Sequence, residues 1–122
     1  MRHSRNLVFL LVVTLLPTMT SADAEQPVPS VTGNSLLEYC GSKNVGEYGV
    51  CVGYITGVGD IETMDGAAFP DRQRFCTPDN ATNGQIIDIV VKYLKDHPAA
   101  RHLLGAILVV NALTEAFPCS SK

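Results

Sequence analysis

The sequence has no cluster of basic residues and no apolar run long enough to cross a membrane. Its nine Lys and Arg residues are scattered over 122 positions and are outnumbered by twelve Asp and Glu residues. Such a chain has no electrostatic reason to bind nucleic acid or an anionic membrane, and a basic partner suits it better. The apolar run from Leu7 to Leu16 is about half of the roughly 20 residues that a membrane span needs. We therefore expect no nucleic acid partner and no membrane span.

The motifs of common catalytic and nucleotide sites are also missing. The sequence contains no P-loop, no G-x-G-x-x-G motif and no serine elbow. After residue 24 the only imidazoles are His97 and His102, which would lie on different sides of a helix because they are five positions apart. Asp96-His97-Pro98 is better explained as a helix junction. We expect no catalytic residue and no cofactor, and therefore no enzyme.

The N-terminus has the three regions of a signal peptide. Arg2, His3 and Arg5 supply the basic region. The apolar run follows, and the sequence Ala22-Asp23-Ala24 supplies the small residues of a cleavage site. We predict a signal peptide at residues 1–24, a flexible leader at 25–32 and one domain at 33–122. The mature chain would be exported, and it would carry seven Lys and Arg residues against eleven Asp and Glu residues, a net charge of −4.

All four cysteines follow the predicted cleavage site. An even number of cysteines in a small exported chain predicts two disulfides among Cys40, Cys51, Cys76 and Cys119. Their gaps of 11, 25 and 43 residues contain no C-x-x-C motif, so we expect neither a zinc site nor a redox site. Three pairings are possible. We favour Cys40 with Cys51 and Cys76 with Cys119, because the helix ends predicted below would bring each pair together.

Apolar periodicity predicts an all-α fold, a small four-helix domain with two disulfides and one long loop. Thr82 and Gln85 form a possible capping box in front of the third helix. Pro98 can open the fourth helix, and Pro118 ends it. The predicted helices run from Asn34 or Ser35 to about Gly41, from Glu47 to Met64, from Thr82 to His97, and from Pro98 to Ala116 or Phe117.

Three glycines of the second helix are spaced four residues apart. Gly49, Gly53 and Gly57 would form one stripe along a helix, although each costs about 1 kcal/mol of helix propensity relative to alanine. Such a stripe suggests that another backbone approaches closely. The partner could be a second copy of the chain or another helix of the same chain, and a strand is a further alternative to the helix. The sequence does not decide among them.

Two charged regions are candidates for partner contacts. Three carboxylates, Asp60, Glu62 and Asp65, lie near the end of the second helix and lack the pattern of a calcium loop. They form either a solvated helix end or a surface for a basic partner. The loop at 65–81 has no periodicity and is long enough to be a binding element, although a tether fixed by Cys76 is the plainer alternative. The candidate contacts are Asp60, Glu62, Asp65, Asp71, Arg72 and Arg74.

The order and spacing of several short motifs resemble a known family. They are Gly33-Asn-x-Leu-Leu-x-x-Cys40, Cys51-x-Gly-Tyr-Ile-x-Gly-Val58, Phe75-Cys76-x-Pro78, Gln85 leading into Val-Val-x-Tyr-Leu, His97-Pro98-x-x-Arg101-His102 and Ala116-Phe-Pro-Cys119. Together they are similar to the Rap/Tai family, the immunity proteins of type VI secretion systems. The resemblance implies a helical, disulfide-bonded periplasmic homodimer that inhibits a peptidoglycan amidase toxin by occluding its active site.

Two other functions fit an exported helical chain. A small periplasmic chaperone of the acid-stress kind would bind unfolded proteins through exposed apolar surface, but the apolar core predicted here does not suit a fold that opens in acid. A periplasmic scaffold would bind only further copies of itself. A single stoichiometric amidase partner would distinguish the immunity protein from both.

Overall fold

The computed structural model describes residues 30–120. The predicted signal peptide and most of the predicted leader lie outside these residues. The described chain forms four α-helices and two short 3₁₀ turns, with no β-strand, so the all-α prediction is confirmed for this part. The helices are α1 (Gly33–Gly41), α2 (Val45–Ala68), α3 (Asn83–Asp96) and α4 (Gly105–Ala116), and the turns are Pro70–Arg72 and Pro98–Ala100.

Helices α1 and α3 begin at threonine caps. The Thr32 hydroxyl accepts the Ser35 N–H at 3.3 Å, and the Ser35 hydroxyl accepts the Thr32 N–H at 2.9 Å, which is a capping box. Helix α1 therefore starts one or two residues earlier than the sequence suggested. At α3, the Thr82 hydroxyl accepts the Gln85 N–H at 3.2 Å. This bond confirms Thr82 as the cap, with the helix proper starting at Asn83.

Helix α2 is longer at both ends than its apolar pattern indicates. Its cap is Asn44, whose side-chain oxygen accepts the N–H groups of Gly46 at 2.9 Å and Glu47 at 3.1 Å. At the other end the helix continues to Ala68. The predicted loop at 65–81 therefore contributes its first four residues to α2 and three more to the Pro70–Arg72 turn. Between the Pro70–Arg72 turn and α3, the segment 73–82 has no helical structure.

Helix α4 begins at Gly105, not at Pro98 as predicted. Pro98 opens only a 3₁₀ turn, after which the backbone bonds to the start of α1. The N–H groups of Gly33 and Asn34 donate to the carbonyls of Leu103 at 3.0 Å and Arg101 at 2.9 Å. Gly105 N–H in turn donates to the carbonyl of Val31 at 2.8 Å. The carbonyls of Arg101 and Leu103 thus accept hydrogen bonds from the free N–H groups at the start of α1. Residues 98–104 therefore do not form the first turns of α4.

The core draws buried side chains from all four helices and from the segment that follows α2. Helix α4 supplies the largest share, in agreement with its apolar run, and Phe75 is the core residue of the 73–82 segment. Among the described residues, no helix is both long enough and apolar enough to cross a membrane. The buried side chains are Leu36, Cys51, Ile55, Phe75, Ile87, Val90, Leu94, Leu108, Val109, Val110, Ala112 and Leu113.

Two disulfides join the elements. Cys40 pairs with Cys51 and ties the end of α1 to α2, while Cys76 pairs with Cys119 and ties the 73–82 segment to the residues after α4. This is the favoured pairing. No free cysteine occurs in residues 30–120.

Candidate functional site

The three spaced glycines of α2 lie on an open surface. A Cβ atom built at Gly49, Gly53 or Gly57 would have no neighbouring atom within 4 Å, apart from the helix's own backbone. No other described helix therefore crosses α2 at this stripe, and the alternative of a strand is also wrong because α2 is helical throughout. We call this surface the glycine face.

An apolar groove lies beside the glycine face, between α2 and α4. Its volume is about 490 Å³, within the range of about 300–1,000 Å³ typical of ligand pockets. Gly53 and Gly57 belong to both the groove and the glycine face, so the two surfaces are continuous. The groove is lined by Gly53, Tyr54, Gly57, Val58, Ile61, Glu62, Arg74, Ala106, Ile107 and Val110.

Large apolar side chains border this surface and are exposed to solvent. Ile61 of α2 and Ile107 of α4 line the groove, with exposed fractions of 59 % and 50 %. Val50 and Met64 are also exposed, and their helical spacing from Gly53 and Gly57 places them beside the glycine face. Contiguous exposed apolar surface of this kind marks interaction sites in soluble proteins. The α2–α4 groove and the glycine face together form our first candidate site.

The charged part of the groove lining is an ion pair that links α2 to the segment after it. The Arg74 guanidinium donates from Nε to Glu62 Oε2 at 2.9 Å and from Nη2 to Glu62 Oε1. The two planar groups therefore meet in the bidentate arrangement that gives arginine–carboxylate pairs their strength. The Glu62 side chain is 10 % exposed and that of Arg74 is 57 % exposed. The structure thus pairs two of the predicted contact residues with each other.

The other predicted contact residues have no ion-pair partner in the described chain. Asp60, Asp71 and Arg72 are exposed, and Asp65 is half-buried. The guanidinium carbon of Arg72 lies 4.3 Å from the centroid of the Phe69 ring, which is within the range of a cation–π interaction. These side chains are free to meet a partner, and their role stays a prediction.

The segment 73–82 has a fixed part and an exposed part. Residues 73–76 are held by the packing of Gln73 against Gly66, the Arg74–Glu62 pair, the buried Phe75 and the Cys76 disulfide. Residues 77–80 are exposed, and a backbone bond from Ala81 N–H to the carbonyl of Pro78 at 3.0 Å closes a turn there. The fixed part agrees with the interpretation of this loop as a tether, and a binding role of the exposed part stays a prediction.

Both histidines of the described chain bond to backbone carbonyls near the α3–α4 junction. The Nδ1 atom of His97 donates to the Tyr93 carbonyl at 2.8 Å and that of His102 to the Ala99 carbonyl at 3.0 Å. The His97 ring also stacks on Tyr93, with 4.1 Å between the ring centroids. Residues 30–120 contain no group of three or more His, Cys, Asp or Glu side chains placed to hold a metal ion. These contacts agree with the reading of Asp96-His97-Pro98 as a helix junction.

A surface ion pair spans the last turn of α3 and includes Asp96 of this junction. Lys92 Nζ donates to Asp96 Oδ2 at 2.5 Å. This hydrogen bond lowers the pKa of the Asp96 carboxyl below its ordinary value and raises the pKa of the Lys92 ammonium. Both groups are exposed, so the pair contributes little to stability in spite of its short distance.

Sequence reasoning missed the contribution of α4 to the site. Ile107 lies inside the apolar run from Leu103 to Val110, which predicts a helix that is central in the bundle or partly covered by a second subunit. The structure buries Leu108, Val109 and Val110 and leaves Leu103, Leu104 and Ile107 partly exposed. A helical wheel places Ile107 nearly opposite the buried Val109, and this separation is the signal in the sequence that could have identified it.

The described chain matches a known protein family. The model of a family described as Rap1a immunity proteins matches residues 32–119, which is nearly the whole described chain. No curated protein and no solved structure matches the chain.

Proposed function

The chain belongs to the Rap1a immunity protein family, and from this premise we propose that it is a periplasmic immunity protein against a type VI secreted peptidoglycan amidase. It would act as an inhibitor that binds the toxin and occludes its active site, without catalysing a reaction. The observation that carries the proposal is the family match over residues 32–119. The order and spacing of the sequence motifs support the choice of an amidase as the toxin.

The cysteines support export to an oxidising compartment. Both disulfides are formed, and one of them joins residues 43 positions apart. Such bonds persist outside the cytosol and are rare inside it. Together with the predicted signal peptide at residues 1–24, they favour the periplasm, where the peptidoglycan substrate of an amidase lies.

The fixed backbone around the end of α2 supports a role in toxin contact. Asp71 and Arg72 project from a 3₁₀ turn, and residues 77–80 follow a stretch held by a disulfide, an ion pair and a buried ring. A surface loop that is already ordered loses less conformational entropy on binding than a mobile one. We propose that this turn and residues 77–80 contact the toxin, with Arg72 pairing with a carboxylate. The homodimer implied by the resemblance is part of the same proposal.

Purification of the mature protein from the periplasm tests the function. A tagged chain is expected to co-purify with one amidase in stoichiometric amount, and to stop that amidase from digesting purified sacculi. Many unrelated proteins captured at low pH would support the chaperone instead. Self-association without any amidase partner would support the scaffold.

A charge reversal tests the contact surface. Arg72→Glu is expected to weaken inhibition of the captured amidase by about tenfold or more, as expected for loss of a well-placed charge pair. The matched control is Lys95→Glu, which makes the same change at an exposed position on α3. If both variants inhibit the amidase as well as the parent protein does, Arg72 does not contact the amidase.

A further inference from the structure

The first described residues lie beside the α2–α4 groove. The Gly105 N–H at the start of α4 donates to the Val31 carbonyl at 2.8 Å. A Cβ atom at Gly105 would lie 3.1 Å from that carbonyl oxygen and 3.2 Å from the ring of Tyr54. Because Tyr54 lines the groove, Val31 lies at the edge of the groove.

The direction of the chain at this edge leads toward the groove. Thr32 pairs with Leu104 in an isolated antiparallel bridge. In antiparallel pairing, each step backwards from Thr32 corresponds to a step forwards from Leu104. The residues that follow in α4 include Ala106 and Ile107, which line the groove. The residues before Val31 therefore need only continue in this direction to enter the groove.

The predicted leader is long enough to follow the groove over its whole length. Residues 25–30 of the leader span about 19 Å in a polyproline conformation. Along α2 the groove runs from Tyr54 to Glu62, which is about 12 Å at the helical rise per residue. Val28 would then lie about 9 Å from the edge, level with Ile61.

The composition of the leader suits an apolar groove. Within Pro27-Val28-Pro29 only Val28 has a backbone N–H, so little hydrogen bonding to water is lost when this stretch leaves the solvent. Proline also favours the polyproline conformation in advance, and proline-rich segments dock in grooves lined by aromatic rings. Tyr54 supplies such a ring in the groove, and Gly53 and Gly57 leave room for the close approach of a backbone.

We propose that Pro27-Val28-Pro29 lies in the α2–α4 groove of its own chain, with Val28 between Ile61 and Ile107. The short link through Ser30 and Val31 gives this stretch an effective concentration in the millimolar range at the groove. Contacts of a few apolar side chains are then sufficient to hold it there. The leader thereby covers Ile61 and Ile107, which are exposed in the rest of the chain, and shields them from other proteins.

Nuclear magnetic resonance of the protein purified from the periplasm tests the contact directly. With valine and isoleucine methyl groups labelled, nuclear Overhauser cross-peaks are expected from Val28 to Ile61 and Ile107. Val28→Ser should shift the methyl resonances of both isoleucines. The control is Val45→Ser, which changes an exposed valine outside the groove and should leave these resonances in place. Absence of the cross-peaks, or their appearance only between differently labelled chains, would overturn the proposal.

Binding of the dye anilinonaphthalene sulfonate tests whether the leader covers the groove. The triple variant Pro27→Ser, Val28→Ser, Pro29→Ser is expected to bind the dye roughly tenfold more tightly than the parent, because burial of a valine side chain corresponds to about that factor. Addition of Ile107→Ser should remove the gain, since it takes away one apolar wall of the groove. Equal dye affinity in the parent and the triple variant would contradict the proposal. An affinity that rises only when the parent is diluted would show that a second copy covers the groove instead.

Neither measurement uses an amidase. A chain whose leader occupies the groove but which inhibits no amidase would reject the proposed function alone. Inhibition by a chain that lacks the contact between Val28 and Ile107 would reject the position of the leader alone.

Discussion

At the scale of single residues, Arg74 holds the segment after α2 in place. Its guanidinium bonds to both oxygens of Glu62, which is nearly buried. Removing one partner of such a pair leaves a buried carboxylate without its hydrogen bonds. We therefore predict that Arg74→Met lowers the free energy of unfolding by about 1–3 kcal/mol, measured by urea denaturation at pH 7.

The matched control for Arg74 is Arg72, two residues earlier. Arg72→Met removes an exposed guanidinium that contacts the Phe69 ring. The free energy of unfolding is therefore expected to change by no more than about 0.5 kcal/mol. The double variant Glu62→Met with Arg74→Met should regain much of the loss, because no charge is then left buried. Equal losses in the Arg72 and Arg74 variants would contradict a specific role for the pair.

Six candidate contact residues could be predicted from the sequence, but their separate roles could not. Glu62 and Arg74 are twelve positions apart, and the turn between them brings them together only after α2 has extended to Ala68. Local spacing contains no sign of such a contact. The pattern nevertheless placed both members of the pair in one charged region around the end of α2.

At the scale of elements, the joint between α1 and the start of α4 requires a residue without a side chain. A Cβ atom at Gly33 would lie 2.4 Å from Cδ1 of Leu108 and 3.0 Å from the Arg101 backbone. We predict that Gly33→Ala lowers the free energy of unfolding by about 1–3 kcal/mol, the usual cost of overpacking. Thermal denaturation followed by circular dichroism measures the change.

Gly59→Ala is the corresponding control within α2. A Cβ atom there meets no neighbour within 4 Å, so alanine should stabilise the chain by about 1 kcal/mol through helix propensity. The two glycine variants should therefore change stability in opposite directions. A loss of stability in both would mean that the joint at Gly33 is not the cause.

The existence of the helices was predictable from the sequence, but several of their boundaries were not, and the start of α4 differs most. The 3.6-residue apolar period and the Thr82 cap are local signals, and both predicted the structure well. The start of α4 depends on bonds from Gly33 and Asn34, which lie about 70 residues earlier in the chain. Pro98 is compatible with either a 3₁₀ turn or the first turn of a longer helix. The contact with the start of α1 therefore decides between these two structures.

At the scale of the whole molecule, the two disulfides constrain the chain unequally. Closing the 43-residue separation between Cys76 and Cys119 removes more freedom from the unfolded chain than closing the 11 residues between Cys40 and Cys51. Chain entropy gives about 4 kcal/mol for the longer closure and about 3 kcal/mol for the shorter one.

We therefore predict that Cys76→Ala with Cys119→Ala destabilises the protein by about 4 kcal/mol, measured by urea denaturation. Amide hydrogen exchange should also become faster in residues 73–82, because this segment loses its covalent link to the residues after α4. The Cys40→Ala and Cys51→Ala pair is the comparison, with no increase expected in that segment. Unchanged exchange after loss of the Cys76–Cys119 bond would contradict its role in holding the loop.

The candidate site could be predicted only in part, for a reason that belongs to the whole molecule. The sequence marked the glycines of α2 but could not choose between an internal and an external neighbour. That choice required the positions of all four helices, which leave Gly53 and Gly57 open and place Ile107 across the groove. The apolar period of α2 alone does not show which of its faces the other helices leave uncovered.

The disulfide pairing has a consequence for how an exported chain could mature. The cysteines pair consecutively in chain order, the first two as Cys40 with Cys51 and the last two as Cys76 with Cys119. During translocation from the N-terminus, an oxidant that joins cysteines in the order of their arrival would make both native bonds directly. The topology thus requires no shuffling of mispaired bonds, so an oxidase without an isomerase is sufficient for this chain.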